Sequence, residues 1–349
     1  MKVKEEKLHE LIKNKINKAG LSEEHSEVVA DCLTYSDSRG YHSHGAVRVE
    51  YYSERIAKGG INADPKFEFK KTGPCSGVYE GDNGVGFVIA KNAMNEAIDM
   101  AKENGVAVVG MKRMSHSGSL GYFVDMAIKK DLVAISVCQS DPMAVPYGGS
   151  EAYYGTNPIA FGAPSSDDRS IVFDMATTVQ AWGKVLDARS KGKSIPEGWA
   201  LDAEGNPTTN PMEVNGLLPI AEAKGSGLMM MVDILSGVLL GLPFGKHVSS
   251  MYDNLSKGRD LGQLHIVIDP SRFTDLENFK RMIAQTMDEL GDIKPAPGFT
   301  EVNYPGERAL QRKANYDREG IEIVDDIYEY LVSDDIHYNK FDNKNKFAE

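Results

Sequence analysis

His42, Ser43, His44 and Arg48 crowd into the stretch RGYHSHGAVRVEYYSER at 39–55, with Tyr51 and Tyr52 one turn beyond. An imidazole of ordinary pKa takes up or releases a proton near neutrality, and a guanidinium holds a carboxylate through paired hydrogen bonds. Together they suit proton removal from an anionic substrate. The pattern predicts a turn at 37–40 running into a helix with Val47, Tyr51 and Ile56 at near-helical spacing. That places Ser43 and His44 at the N-cap, where free amides favour an anion, and Arg48 one turn further on. An ordinary helix start with a solvated arginine fits the same residues.

Further clusters follow apolar runs, where α/β folds place their chemistry. Met114-Ser115-His116-Ser117-Gly118 comes after VAVVG, and His116 has the type of a general base. Cys138-Gln139-Ser140-Asp141-Pro142 offers Ser140 to a cofactor and Asp141 to a histidine or substrate. Asp174, in Phe173-Asp174-Met175-Ala176-Thr177, can accept from ribose hydroxyls, and Lys224-Gly225-Ser226-Gly227 suits a pyrophosphate at a helix start. Each cluster also reads as a turn or cap. Gly81-Asp82-Asn83-Gly84-Val85-Gly86 imitates a dinucleotide-binding loop, but its spacing is the reverse of Gly-x-Gly-x-x-Gly, so it reads as a turn before a helix. His42-x-His44 resembles the first pair of metal ligands in a hydrolase, yet the segment before it is helical and polar rather than a strand end.

Helices and strands must carry these loops. Leu8, Leu11, Ile12 and Ile16 form one apolar face ended by Gly20, and Ser22 with Glu23 and Glu24 opens a second helix. The first 70 residues read as helical and without strands. Helical patterns at 87–103 and 118–130 then alternate with apolar runs at 106–110, 132–138, 158–163, 171–176 and 264–269, the mark of buried strands in an α/β sheet. Leu228 to Leu242, interrupted by Asp233, Ser236, Gly237 and Gly241, reads as a buried helix with Met229 to Met231 as core filler, shorter than a membrane span. Amphipathic helices follow residue 272, and the tail after 335 reads as frayed. The fold class expected is α/β, with a domain built on the sheet at 73–272 and a helical domain built from 1–72 and 273–349.

The 349 residues exceed what one core usually serves, and a net charge of −12 with pI near 5.2 argues against nucleic acid or an anionic membrane as partner. Cys32, Cys75 and Cys138 are too scattered for a disulfide framework or zinc site, which points to a reducing cytoplasm. The charged N-terminus, MKVKEEKLHELIKNK, does not read as a secretory signal.

HSHG at 42–45, YYGTNPIAFGAP at 153–164, FDMATT at 173–178 and KGSGLMMMVDILSG at 224–237 resemble the malate/L-lactate dehydrogenase family, which implies that the domain at 73–272 is a cofactor domain with a mixed sheet rather than a Rossmann fold. The similarity spans nearly the whole chain. It implies a homodimeric oxidoreductase that transfers hydride from a 2-hydroxy acid to NAD without a metal. By this resemblance His116 is the proton acceptor, with His44 as the other candidate base, and Ser43, His44, Arg48 and Tyr52 surround the substrate. Ser140, Asp174, Met175, Ala176, Lys224, Gly225 and the Pro305-Gly306-Glu307 loop would contact NAD. Ser115 and Ser117 flank His116 where many malate- and lactate-type relatives have asparagine before it and a bulky residue after it, which argues against carrying over their substrate.

Overall fold

The computed structural model describes residues 1–344 and 347. It begins with a short strand β1 (Lys2–Val3) and three helices, α1 (Glu5–Ala19), α2 (Glu23–Ser38) and α3 (Val49–Ala57). Leu8, Ile12 and Ile16 on α1 meet Val29 and Leu33 on α2 and Val49, Tyr52 and Ile56 on α3 in one buried cluster. The helical periodicity of those apolar residues dictates the packing.

The middle of the chain supplies β2 (Glu68–Gly73), β3 (Ser76–Glu80), α4 (Gly86–Asn104), β4 (Val106–Met114), α5 (Gly121–Ile128), β5 (Val133–Cys138), β6 (Ile159–Pro164) and β7 (Ser170–Met175). An excursion carries α6 (Trp182–Ser190) and three two-residue strands, β8 (Ala200–Leu201), β9 (Pro207–Thr208) and β10 (Gly216–Leu217). It has its own small core around Trp182, Val185, Val214 and Leu217. Then come α7 (Ala223–Ser236), β11 (Leu261–Ile268), α8 (Leu276–Gly291), α9 (Glu307–Glu319), β12 (Ile321–Glu322) and α10 (Asp325–Val332).

Seven strands form one mixed sheet in the order β2-β3-β4-β11-β5-β6-β7, with β3 parallel to β4 and every other pair antiparallel. Alternation along β5 explains why it is covered on both faces. Ala134 and Cys138 join α4 and α5 in one cluster, while Ile135 and Val137 meet Val232 of α7 in another. The fold is α/β with a mixed sheet, and its strands coincide with the apolar runs.

Four expectations change. Strands do occur before residue 73: β1 pairs antiparallel with β12, which draws both regions into the helical core, and β2 edges the main sheet. α8 packs on β6 and β7 rather than among the terminal helices. The segment 334–342 is pinned rather than frayed, because Glu50 and Glu54 of α3 accept from the amides of Tyr338 and Phe341 and Lys58 pairs with Asp342 at 3.2 Å. On α7 only one of the three methionines fills the core: Met229 is buried, while Met230 and Met231 are 48% and 40% exposed. By length and composition alone Ala223–Leu240 would suit a membrane, but its inner face, with Val232 and Asp233, is buried.

Candidate active site

The loop after α2 is shaped by a buried carboxylate. Asp37 Oδ1 lies 2.8 Å from His42 Nδ1, and Oδ2 accepts from the Ala46 amide at 2.6 Å. A Cβ on Gly45 would fall 2.1 Å from that carboxylate, so only glycine lets the chain pass. The expected single helix with Ser43 and His44 at its N-cap therefore gives way to two 3-10 turns, His42–His44 and Ala46–Arg48, and α3 starts after Arg48. His42 also faces the Tyr316 hydroxyl at 3.2 Å. Both its nitrogens are thus engaged away from His44, which removes the metal-pair reading of these two rings.

His44 instead meets His116. Their rings stack at 5.9 Å between centroids and 28° between planes. His116 rides on the loop between β4 and α5, whose two serines fasten it: Ser115 Oγ accepts from the Gly86 amide, and Ser117 donates to Gln263 of β11 at 2.6 Å. Tyr52, fully buried on α3, places its hydroxyl 2.6 Å from His116 Nδ1, and the Gly118 amide reaches the same nitrogen at 3.3 Å. Ser43 Oγ lies 2.9 Å from His44 Nδ1. Arg48 donates through Nε to the Ser43 carbonyl at 2.8 Å and through Nη1 to the Tyr252 hydroxyl at 2.9 Å. Ser43, His44, Arg48, Tyr52 and His116 thus form one cluster, as the reading of the sequence grouped them.

Burial pushes His44 down to about 4, with the Arg48 charge adding to it. His116 is held well below the ordinary range by burial first, then by His44, Arg48 and Arg259. Two neutral imidazoles beside a fixed cation can exchange a proton with an alcohol whose carboxylate the cation holds. Asp141 has other partners: Oδ1 accepts from Arg259 at 2.5 Å, Oδ2 accepts from the Met251 amide, and neither histidine bonds to it. Arg259 and Tyr252 escaped the sequence reading. They lie some two hundred residues beyond His44 and about 140 beyond His116, and no local signal assigns them to the site.

The other clusters converge around the end of β7. Asp174 Oδ2 accepts from Ser119 Oγ at 2.7 Å and from the Gly121 amide at 2.8 Å, which ties it to the helix that follows His116. Burial raises its carboxyl above the usual value. Met175 ends that strand and Ala176 leads to Thr177, whose hydroxyl donates to the Thr156 carbonyl, while Thr156 Oγ1 lies 3.1 Å from Ser140 Oγ. The Ile220 amide donates to the Thr177 carbonyl, bringing up the loop before α7. Ala221 and Glu222 there adopt left-handed backbone, and Lys224 and Gly225 lie inside the first turn of α7 rather than before it. Gly306, at φ 98°, packs on the Val172 backbone and opens α9, whose Glu307 accepts from the Tyr304 amide. A cleft of about 550 Å³ lies beside Gly306, between Tyr41, Phe299, Tyr304, Arg308 and Arg312.

Residues 3–332 match the malate/L-lactate dehydrogenase family. The chain belongs to that family. Among similar members, the Escherichia coli K12 protein named ureidoglycolate dehydrogenase (NAD(+)) is 59% identical, with all of both chains covered. A Pyrococcus horikoshii malate dehydrogenase is 38% identical over 95% of this chain and 94% of its own. The structure of sulfolactate dehydrogenase from Methanocaldococcus jannaschii superposes with a TM-score of 0.88 at 35% identity, covering 95% of each chain. The family therefore accounts for the mixed sheet and for the absence of a Gly-x-Gly-x-x-Gly loop.

Proposed function

We propose that this chain oxidises (S)-ureidoglycolate to oxalurate with NAD, a step in allantoin breakdown. The supporting observation is the full-length similarity to ureidoglycolate dehydrogenases, well above that to malate and sulfolactate dehydrogenases. Bound NAD supplies the hydride acceptor at its nicotinamide. The chain fits such a group: α7 starts without a side-chain cap and carries Lys224, Gly225 and Ser226 in its first turn, which suits a pyrophosphate. Ser140, Asp174, Met175, Ala176, Gly306 and Glu307 line the remainder of its path. Arg48, held by Ser43 and Tyr252, clamps the carboxylate. His116 takes the hydroxyl proton, and His44 stacks beside it as the second acid–base group.

In this reading the helices within residues 1–72 with the end of the chain, and the α/β residues 73–272 joined by α8, close on the substrate and expel water. The molecule is a homodimer in the cytoplasm. Met230, Met231, Ile234, Val238 and Leu239 leave an apolar face on α7 and the turn beyond it that a second copy covers, and the three cysteines are free. Light scattering on wild type and Met231→Lys tests the dimer.

The alternative, a dehydrogenase of another 2-hydroxy acid, is favoured by the malate and sulfolactate relatives. NADH formation from ureidoglycolate, malate, lactate and sulfolactate separates the two. Ureidoglycolate should give the highest kcat/KM; turnover of malate without turnover of ureidoglycolate rejects the proposal.

A further inference from the structure

Hydrogen-bond accounting at His116 specifies more than its position. A neutral imidazole carries one proton, on either Nδ1 or Nε2, and the partners of one nitrogen decide which. Two groups converge on Nδ1: the Tyr52 hydroxyl at 2.6 Å and the Gly118 amide at 3.3 Å. The amide can only donate. The hydroxyl can do either, but Tyr52 is 1% exposed and its oxygen has no other hydrogen-bond partner among the described residues. If Nδ1 carried the proton, the Gly118 N–H would face another N–H, and the buried hydroxyl proton of Tyr52 would have no acceptor. Such an orphan costs about 1–3 kcal/mol. If Nδ1 is bare, both donors are satisfied at once.

We infer that Tyr52 is a positioning residue which, with the Gly118 amide, fixes neutral His116 as the Nε2–H tautomer. This deepens the proposed function, since it assumes His116 faces the substrate there. Gly118 is part of the device: its φ of +76° turns the amide back onto the ring that precedes it, and a Cβ there would meet Phe87 at 2.6 Å. No hydrogen-bond partner of Nε2 occurs among the described residues, and His116 is partly exposed, so the proton it carries is left open to a substrate.

The consequence concerns direction. The resting ring is a hydrogen-bond donor to a substrate oxygen; to hand a proton to a carbonyl during reduction it must first carry protons on both nitrogens, so that it returns to the neutral form. For oxidation, Nε2 must first be bare. Nε2 releases its proton to water and Nδ1 takes one up from water, so the ring stays neutral, while the Tyr52 hydroxyl turns from donor to acceptor at the cost of leaving its own proton unpaired. A carboxylate in the place of Tyr52 could only accept, and would hold the ring permanently as a base. A tyrosine favours the Nε2–H form without forbidding the other.

Nitrogen NMR of the full-length protein labelled at histidine reads the tautomer directly, with the His116 signals assigned by their loss in His116→Ala. Wild type should give a pyridine-type Nδ1 and a pyrrole-type Nε2. Tyr52→Phe, which keeps the ring and the packing, should shift both signals toward the average of the two tautomers. A merely structural role for Tyr52 would leave these shifts alone. A pyrrole-type Nδ1 in wild type, or shifts in Tyr52→Phe identical to wild type, overturns the inference. Turnover by His116→Ala, measured separately, judges the catalytic role: full activity there would reject that role and leave the tautomer result standing.

Discussion

Gly86→Ala tests whether the start of α4 sets the position of His116. A Cβ at Gly86 would lie 2.2 Å from the Ser115 carbonyl oxygen and 2.7 Å from that of His116. Ordinary contact begins near 3.4 Å, so the loop or the helix must give by about 1.2 Å, the difference between 3.4 and 2.2. The obstacle is backbone and cannot rotate away. Moving a reacting group by about 1 Å costs roughly 10²-fold in rate, and overpacking costs about 1–3 kcal/mol of stability. Gly86→Ala should therefore lower kcat for ureidoglycolate roughly 10²-fold while NADH affinity, followed by fluorescence, changes little. Gly162→Ala is the control: on β6 its Cβ would press the Val124 and Ile128 side chains at 2.9–3.0 Å, away from the histidines. It should lose comparable stability and keep its turnover. A Gly86→Ala enzyme that stays folded with kcat within about twofold of wild type refutes the reasoning, because the steric argument leaves no room for it.

His116→Ala should lower kcat by about 10²-fold or more with NAD affinity nearly intact, measured by steady-state kinetics and NADH titration; unchanged turnover would transfer the base to His44. Arg48→Lys should chiefly raise KM, since a point charge replaces a fork that now also reaches Ser43 and Tyr252, and an unaltered KM for acid substrates would remove Arg48 from the pocket. Stability should fall with acid. His44 and His265 are both pushed down to about 4, chiefly by burial, whereas the unfolded chain protonates near 6.5. Their contribution is complete above 6.5 and is lost as pH drops toward 4, about 3 kcal/mol per ring from a gap of roughly 2.5 pH units at 1.36 kcal/mol each. Urea midpoints at pH 7 and pH 5 check this, with His265→Gln flattening the difference; equal midpoints in wild type would contradict it.

The strands were legible because a strand covered on both faces must be almost wholly apolar, as VAVVG and LVAISVC are, with Ser136 accepting a hydrogen bond from Gln263. Their neighbours in the sheet were not legible, since no local pattern says that β11 enters between β4 and β5. The paired residues of β1 and β12 are too few to carry any periodicity. The exposed side of α7 was misread for a physical reason: a helix apolar all round looks the same whether its outer face meets protein core or an interface. At the candidate site, residue types and order picked out His44, His116, Arg48 and Tyr52, which the fold brings together. The turn that aims them was hidden, because Asp37 acts across nine residues on Ala46, and Tyr252 and Arg259 act from the far side of the fold.

The late arrival of β11 bears on how the protein is made. β4 and β5 are complete by residue 138, yet the strand that joins them spans residues 261–268. A ribosome must therefore add the whole excursion and α7 while two facing strand edges stand open, able to pair with each other or with neighbouring nascent chains. Chains released before residue 261 would hold both histidines and still have no closed sheet to support them, so interrupted synthesis yields aggregation-prone fragments rather than a partial enzyme.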